Sequence, residues 1–466
     1  MGRPSIPLSA NLPPLIMGTA TFNSQYNPDP YALPTTELVH RAFASGVRAF
    51  DTSPYYGPAE ELLGRALATD FVQSNFPRHT YRLLTKVGRV ASSSFDYSPE
   101  WVRHSVQRSL RRLHTDYIDV VYCHDVEFVS PQEVLKAVRE LRRIRDTDGT
   151  VHYVGISGYP VDVLSELAEM VLRETGEPLD VVMSYANFTL QNTRLLTEAL
   201  PRLVAAGVDV IPNASPLGMG LLRRSGVPIG SMGDFHPAPD GLRSATHRAA
   251  EWADTQGEKI EVIAIRFALE SWLHEGAKVG ALGPPLARSA DADPGFLSVV
   301  NMGTGERLGV SVMGVSNLDE LNEALRVWHS IIEGLENKDD EEITGATNTL
   351  TPPALHAPAI LTPSEGIITD RAWSHSRRRR ILSLARQIQA ILGSEWVDYV
   401  WPSPGTDFVN TLSAEHLALK RQGAGSAPAV QEVDVATASE QPMITPPLDA
   451  VDTKIPTDTT LSDVTL

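Results

Sequence analysis

The sequence predicts an α/β protein built on a (β/α)8 TIM-type barrel with extra helices, and three observations lead there. Short apolar segments alternate with amphipathic helical ones through residues 1–334, the pattern of successive right-handed βαβ units and a parallel sheet. Eight such units can be counted, enough to close a barrel, whereas an open doubly wound sheet usually has fewer. No Gly-x-Gly-x-x-Gly follows the first apolar segment, which argues against an open dinucleotide-binding sheet.

Residues 15–22 read as the first strand. In 35–45, Leu38, Val39, Ala42 and Phe43 fall at helical spacing, and Gly46 ends that helix. Strands are then expected near 47–51, 81–86, 118–124, 151–156, 180–184 and 208–213. The helices between them are expected near 58–68, 99–113, 131–145, 160–173 and 191–205. Pro58 opens the first of these, at a position where a missing N–H is harmless. Beyond 213 two helices, 241–256 and 258–273, are separated by Gly257. A Pro-, Ser-, Asp- and Gly-rich stretch, 283–306, delays the eighth strand at 308–314, and a helix at 318–334 completes the last unit.

The rest of the chain divides by composition. Residues 335–375 are acidic and then Thr/Pro-rich without periodicity, and read as a disordered insertion. Residues 376–407 hold an apolar helical pattern followed by Trp396 and Trp401, a C-terminal helix and barrel-closing segment. Residues 408–466 turn to Ala, Thr, Pro and Asp with few aromatics, and read as a disordered tail.

Composition excludes several function classes. The chain has 466 residues, 42% of them hydrophobic, with no run near the ~18 apolar residues that span a bilayer. Its N-terminus has no signal-peptide sequence, and Ile6 stands where a myristoylation site wants Ser or Thr. One cysteine, Cys123, rules out an intramolecular disulfide framework, so a cytoplasmic location is expected. A net charge of −17 opposes nonspecific binding to nucleic acid or anionic membranes. Arg377 to Arg380 form the one strong basic cluster, read as a solvated helix start rather than a localisation signal.

The candidate chemistry sits at strand ends. The second strand ends in Asp51, the third in Lys86 and the fourth in His124, and Tyr56 follows the first of these by five residues. In a parallel barrel those ends share the face on which active sites are built. A tyrosine can carry a proton if its pKa, ~10 when unperturbed, is lowered. An ammonium lowers it by stabilising the phenolate, a carboxylate holds that ammonium in place, and a histidine can orient the reacting oxygen. Each residue has a plainer reading: an ion pair for Asp51 and Lys86, a satisfied core imidazole for His124. Cys123 alternates with His124 and is expected to point away from the lumen. Asp125 and Glu127 beside His124 lack a second histidine at ligand spacing, so no metal is assigned.

Phe50-Asp51-Thr-Ser-Pro-Tyr-Tyr56-Gly, with the strands ending in Lys86 and His124, resembles the catalytic tetrad of the aldo-keto reductase superfamily. The strings around 119–128 and 214–222, and the late Trp401-Pro-Ser, resemble its NAD-dependent D-arabinose 1-dehydrogenase and L-galactose dehydrogenase branch. The resemblance runs from about 13 to 334 and resumes near 380–405. It implies oxidation of the anomeric hydroxyl of a free aldose to a lactone, with Tyr56, Lys86, Asp51 and His124 catalytic and NAD as cofactor.

The resemblance also implies cofactor contacts. Gly18, Thr19 and Ala20 match the first-strand turn below the nicotinamide, and Ser157 matches a carboxamide contact. Gly158 replaces the usual Asn, and Ala214 stands where many members stack a Tyr. Ser215, Leu217, Gly218 and Gly220 match the pyrophosphate loop; Ser316 and Asn317 match the adenosine end. Glu320 stands at one of two positions where NADP-using relatives commonly place an Arg, so NAD is expected over NADP. Three alternatives stay open: an NADP-dependent carbonyl reductase of the same superfamily, a Schiff-base aldolase using Lys86, and a non-catalytic nucleotide-sensing barrel subunit.

Overall fold

The barrel closes through eight parallel strands in the order β1 (Leu15–Gly18), β10 (Ser311–Gly314), β9 (Asn213–Ala214), β8 (Val181–Tyr185), β7 (Val151–Gly158), β6 (Ile118–His124), β3 (Arg82–Val87), β2 (Ala49–Asp51). The computed structural model describes residues 4–228, 233–281, 307–333, 371–412 and 416, all within one compact unit. The chain folds as the (β/α)8 barrel expected from its alternating pattern.

Side-chain alternation divides the core into two layers. Inward residues Ile16, Ala49, Leu84, Val120, Tyr122, Tyr153, Met183 and Val312 fill the lumen. Their strand neighbours, such as Val121, Cys123, Val154 and Ile156, face the helices. Cys123 thus points away from the lumen, as its position in the strand requires.

The surrounding helices are α1 (Thr35–Ala44), α2 (Ala59–Leu67), α4 (Pro99–Arg112), α5 (Pro131–Thr147), α6 (Val161–Thr175), α7 (Leu200–Ala205), α8 (Asp240–Thr255), α9 (Ile260–Glu275) and α10 (Leu318–Glu333), with a short α3 (Asp70–Asn75) after α2. Their starts are written locally. Ser98 and Ser130 accept from the Trp101 and Glu133 backbone N–H groups, each with Pro at the first helical position, and Glu133 completes a capping box.

The structure departs from the expected elements in specific places. The seventh strand, expected over 208–213, shrinks to Asn213–Ala214 plus one bridge between Val181 and Val210, because Pro212 has no N–H for the ladder. A hairpin, β4 (Arg89–Ala91) with β5 (Ser94–Phe95), follows β3 and is too short to show periodicity in the sequence. The C-terminal helix, α11 (Arg371–Leu392), begins inside the segment expected to be a disordered insertion. Its Ile381, Leu384, Ala385, Ile388 and Leu392 pack on Ala249, Ala253, Ile260 and Ile263 of α8 and α9.

The basic cluster is not a solvated helix start. Arg377 pairs with Glu258, Arg380 donates to the same carboxylate at 3.2 Å, and Arg378 lies 3.5 Å from Glu270. These pairs dock α11. Part of the expected tail is also engaged: Asn410 accepts from the Phe95 N–H (2.8 Å) and donates to its carbonyl (3.0 Å). The Thr411 N–H donates to the Ser93 carbonyl at 2.9 Å. The expected insertion over 335–370 and the expected tail over 417–466 lie outside the described residues, as does 283–306.

Candidate active site

Asp51, Lys86 and His124 reach one mouth because side-chain alternation and barrel stagger act together. Asp51 pairs in register with Leu84, Lys86 with Tyr122, and His124 with Ser157. Leu84 and Tyr122 are lumen residues. Lys86 and His124, two positions further along the same strands, therefore share their face, each one step above its neighbour.

The geometry is close. The Lys86 ammonium lies 2.6 Å from Asp51 Oδ1 and also donates to the Thr52 carbonyl at 2.9 Å. Tyr56 is held in the turn after β2, its N–H donating to the Ser53 carbonyl at 3.0 Å. Lys86 Nζ stands 4.7 Å from the centre of the Tyr56 ring, and the His124 ring meets that ring edge-on at 5.6 Å.

His124 is fixed from two sides. The Tyr97 hydroxyl donates to its carbonyl at 2.5 Å, and Ser53 Oγ lies 3.1 Å from its Nδ1. Ser53 Oγ also accepts from the Tyr55 N–H (3.1 Å); with its own proton turned to Nδ1, the imidazole keeps its proton on Nε2. Burial pushes the imidazole down to about 3, with Lys86 and Arg89 adding to the effect against Asp125. It is neutral, with an N–H to offer.

The electrostatics correct one expectation. Burial, with the Asp51 and Asp125 carboxylates, raises Tyr56 well above the ordinary phenol range. The Asp51 carboxylate that pairs with Lys86 is itself among the groups that raise it. Asp51 itself is raised by burial, with Lys86 opposing. Tyr56 is thus a neutral hydroxyl.

The hairpin supplies a residue that the sequence did not reveal. Arg89 pairs with Asp125 and stacks 3.8 Å over the Tyr55 ring, whose neighbour at 5.8 Å is His124. Gly88 makes this turn possible: its φ is +100°, and a Cβ there would stand 2.3 Å from the Tyr97 ring. A Gly-Arg pair straight after the strand ending in Lys86 was the available signal. Asp125 is occupied by Arg89, and among the described residues no three His, Cys, Asp or Glu side chains converge as metal ligands.

The residues matched to a cofactor lie around the same rim. Gly18 is in register with Asp51 and Gly314, and a Cβ on it would press Val312 at 3.2 Å. Thr19 donates its N–H to the Asp51 carbonyl (2.8 Å) and leaves its buried hydroxyl without a partner; Ala20 is half-buried beside it. Ser157 Oγ is likewise buried and unpartnered. Ser215, Gly218, Met219 and Gly220 all have left-handed φ, from 56° to 94°, a turn whose N–H groups are brought close together. Within it Ser215 Oγ accepts from the Met219 N–H at 2.9 Å, and Leu217 packs into the helical layer.

At the far end Asn317 and Glu320 act on the backbone of α10. Asn317 Oδ1 accepts from the Glu320 N–H (2.9 Å), and Glu320 Oε2 accepts from the Ser316 N–H (2.8 Å). The acids of this turn are paired: Arg223 reaches Glu320 at 2.5 Å, and Lys259 lies 3.4 Å from Glu323.

Comparison with known proteins agrees with this architecture. The Aldo/keto reductase family model matches residues 14–342. The chain is 42% identical over 272 residues to D-arabinose 1-dehydrogenase of Saccharomyces cerevisiae, covering 58% of this chain and 79% of the relative. It is 38% identical over 234 residues to L-galactose dehydrogenase of Arabidopsis thaliana, covering 50% and 68%. D-threo-aldose 1-dehydrogenase of a Pseudomonas species is 27% identical over 273 residues, covering 53% and 79%. A match through the whole barrel, with relatives aligned over most of their own length, leads to one conclusion: the chain belongs to the aldo/keto reductase family, oxidoreductases that use a nicotinamide cofactor.

Proposed function

We propose that this enzyme oxidises the anomeric hydroxyl of a free aldose, of D-arabinose or L-galactose type, to its lactone, with NAD as the preferred cofactor. The observation that carries the reading is the meeting of Tyr56, Lys86, Asp51 and His124 at one mouth. The names of the relatives support the substrate class. The single cysteine, buried in the helical layer, is in keeping with a cytoplasmic location.

The residues around the rim fit a dinucleotide. Buried hydroxyls on Thr19 and Ser157 offer hydrogen bonds that no group among the described residues takes. The left-handed run at 215–220 lets N–H groups approach an anion. When bound, the oxidised nicotinamide supplies the hydride acceptor and one positive charge.

The protein's share is orientation and proton transfer. His124, neutral and carrying its proton on Nε2, donates to the anomeric oxygen and orients it. Tyr56 as phenolate takes the hydroxyl proton while the carbon gives up its hydride. Lys86 offsets the phenolate charge, and Asp51 anchors Lys86 at 2.6 Å. Lys86 is a poor Schiff-base nucleophile, since that role needs a neutral amine and this one is locked in a buried ion pair.

A second reading is favoured by one observation. Tyr56 held as a neutral phenol is a ready acid, and a carbonyl reductase needs that acid. Steady-state assays of free aldoses with NAD and NADP, and of carbonyl compounds with NADH and NADPH, with Tyr56→Phe as control, separate the two. Turnover of aldoses with NAD, lost by at least a hundredfold in Tyr56→Phe with dinucleotide affinity within a few-fold, is the expected result. Wild-type turnover in Tyr56→Phe would remove the mechanism.

A further inference from the structure

One carboxyl at the mouth has no part in the scheme above. Glu127 lies in the short turn Val126–Phe128 after β6, which bends because Asp125 takes a left-handed φ of 53°. Its Oε1 accepts from the Tyr159 N–H (3.1 Å) and from the Ser403 hydroxyl (3.0 Å). Its Oε2 is buried and has no hydrogen-bond partner among the described residues.

The neighbour of that oxygen is Gly158. A Cβ on Gly158 would stand 2.4 Å from Glu127 Oε2, so the carboxyl fills the space that a side chain at 158 would need. One residue earlier, Ser157 Oγ is also buried and unpartnered. An unpaired polar atom in such a place costs free energy until something pairs with it. Here two stand on adjacent residues' ground, one a pure acceptor when ionised and one able to donate. Between them they offer an acceptor for a ligand N–H and a donor for a ligand oxygen.

We propose that Glu127 takes over the role of the missing side chain at 158 and, with Ser157, grips the carboxamide of the nicotinamide. Oε2 accepts from the amide N–H2, and the Ser157 hydroxyl donates to the amide oxygen. This rests on the nicotinamide reading above. Burial, with Asp125, pushes the Glu127 carboxyl up to about 8, against the hydrogen bonds from its own N–H, the Tyr159 N–H and Ser403. Ser403 belongs to the segment after α11, so that segment also holds the carboxyl in place.

The test is equilibrium binding by quenching of protein fluorescence, on the full chain at about pH 9, where the carboxyl is ionised. Three ligands are compared: NAD, deamido-NAD (a carboxylate in place of the carboxamide) and ADP-ribose, which lacks the ring. Wild type should prefer NAD to deamido-NAD by tenfold or more. Glu127→Ala should bring that ratio close to one and leave ADP-ribose affinity within twofold. Glu127→Gln keeps the acceptor for Tyr159 and Ser403 but presents N–H2 at the other position, so its ratio should also fall. Gly158→Asn should weaken NAD binding by clashing with Glu127, and adding Glu127→Ala should restore it.

An unchanged ratio in both Glu127 variants overturns the proposal. So does a parallel loss of ADP-ribose binding, which would make Glu127 a brace for the mouth, or a change confined to the aldose KM. If wild type binds neither NAD nor ADP-ribose, the nicotinamide reading itself fails, a result the Glu127 variants cannot imitate.

Discussion

The Lys86 ammonium stands 2.6 Å from the Asp51 carboxylate, with 1% and 4% of the two side chains exposed. Breaking a buried pair by removing one member leaves the other charge unpaired, at about 3–5 kcal/mol, whereas removing both costs far less. Lys86→Met should therefore lower stability by about that amount as well as abolishing turnover. Lys86→Met with Asp51→Asn should recover most of the stability and none of the activity. Denaturant unfolding beside activity assays checks this; equal stability of the single and double variants would contradict it.

The raised Tyr56 pKa sets a direction in pH. The proposed oxidation uses the phenolate, whose fraction grows tenfold per pH unit below the pKa, so log kcat/KM for aldose oxidation should still be climbing at about pH 9. Carbonyl reduction uses the phenol and should show no such rise. An oxidation profile flat from about pH 7 upward would remove the phenolate role.

The Arg223–Glu320 pair bears on the dinucleotide preference proposed above. Paired at 2.5 Å, they leave little free positive charge for a 2′-phosphate, so NAD should surpass NADP by at least tenfold in kcat/KM, about 1.4 kcal/mol. Glu320→Gln frees the guanidinium and should narrow the gap; Glu320→Arg should narrow it further. Equal efficiency with both cofactors in the wild type would overturn the assignment.

Residues 408–412 brace the hairpin that carries Arg89. Phe408 meets the Phe95 and Phe128 rings edge-on at 5.8 and 4.8 Å, and Asn410 bonds both backbone groups of Phe95. A chain ending at residue 420 should keep its activity. One ending at 405 should lose several hydrogen bonds of about 1 kcal/mol each. Its Tm should fall by several degrees and its aldose KM rise. Matching Tm values for the two chains would show that this stretch carries nothing.

The sequence by itself determined the barrel and most of its mouth, because both follow from local rules. Alternation along strands put Lys86 and His124 on the face of Leu84 and Tyr122, and the βα rhythm ordered the strands. Chain-distant encounters were decided only by the tertiary structure. The Arg89–Asp125 and Arg223–Glu320 pairs join residues 36 and 97 positions apart, and no periodicity encodes such a meeting. Arg377 looked solvated until Glu258 was placed beside it, and Glu127 gained its meaning from the space left open at Gly158. The charge state of Tyr56 belongs to the same class. A lysine nearby in sequence logic lowers a phenol, but burial and the carboxylates that share the pocket raise it. Burial is a property of the closed barrel and of no single strand.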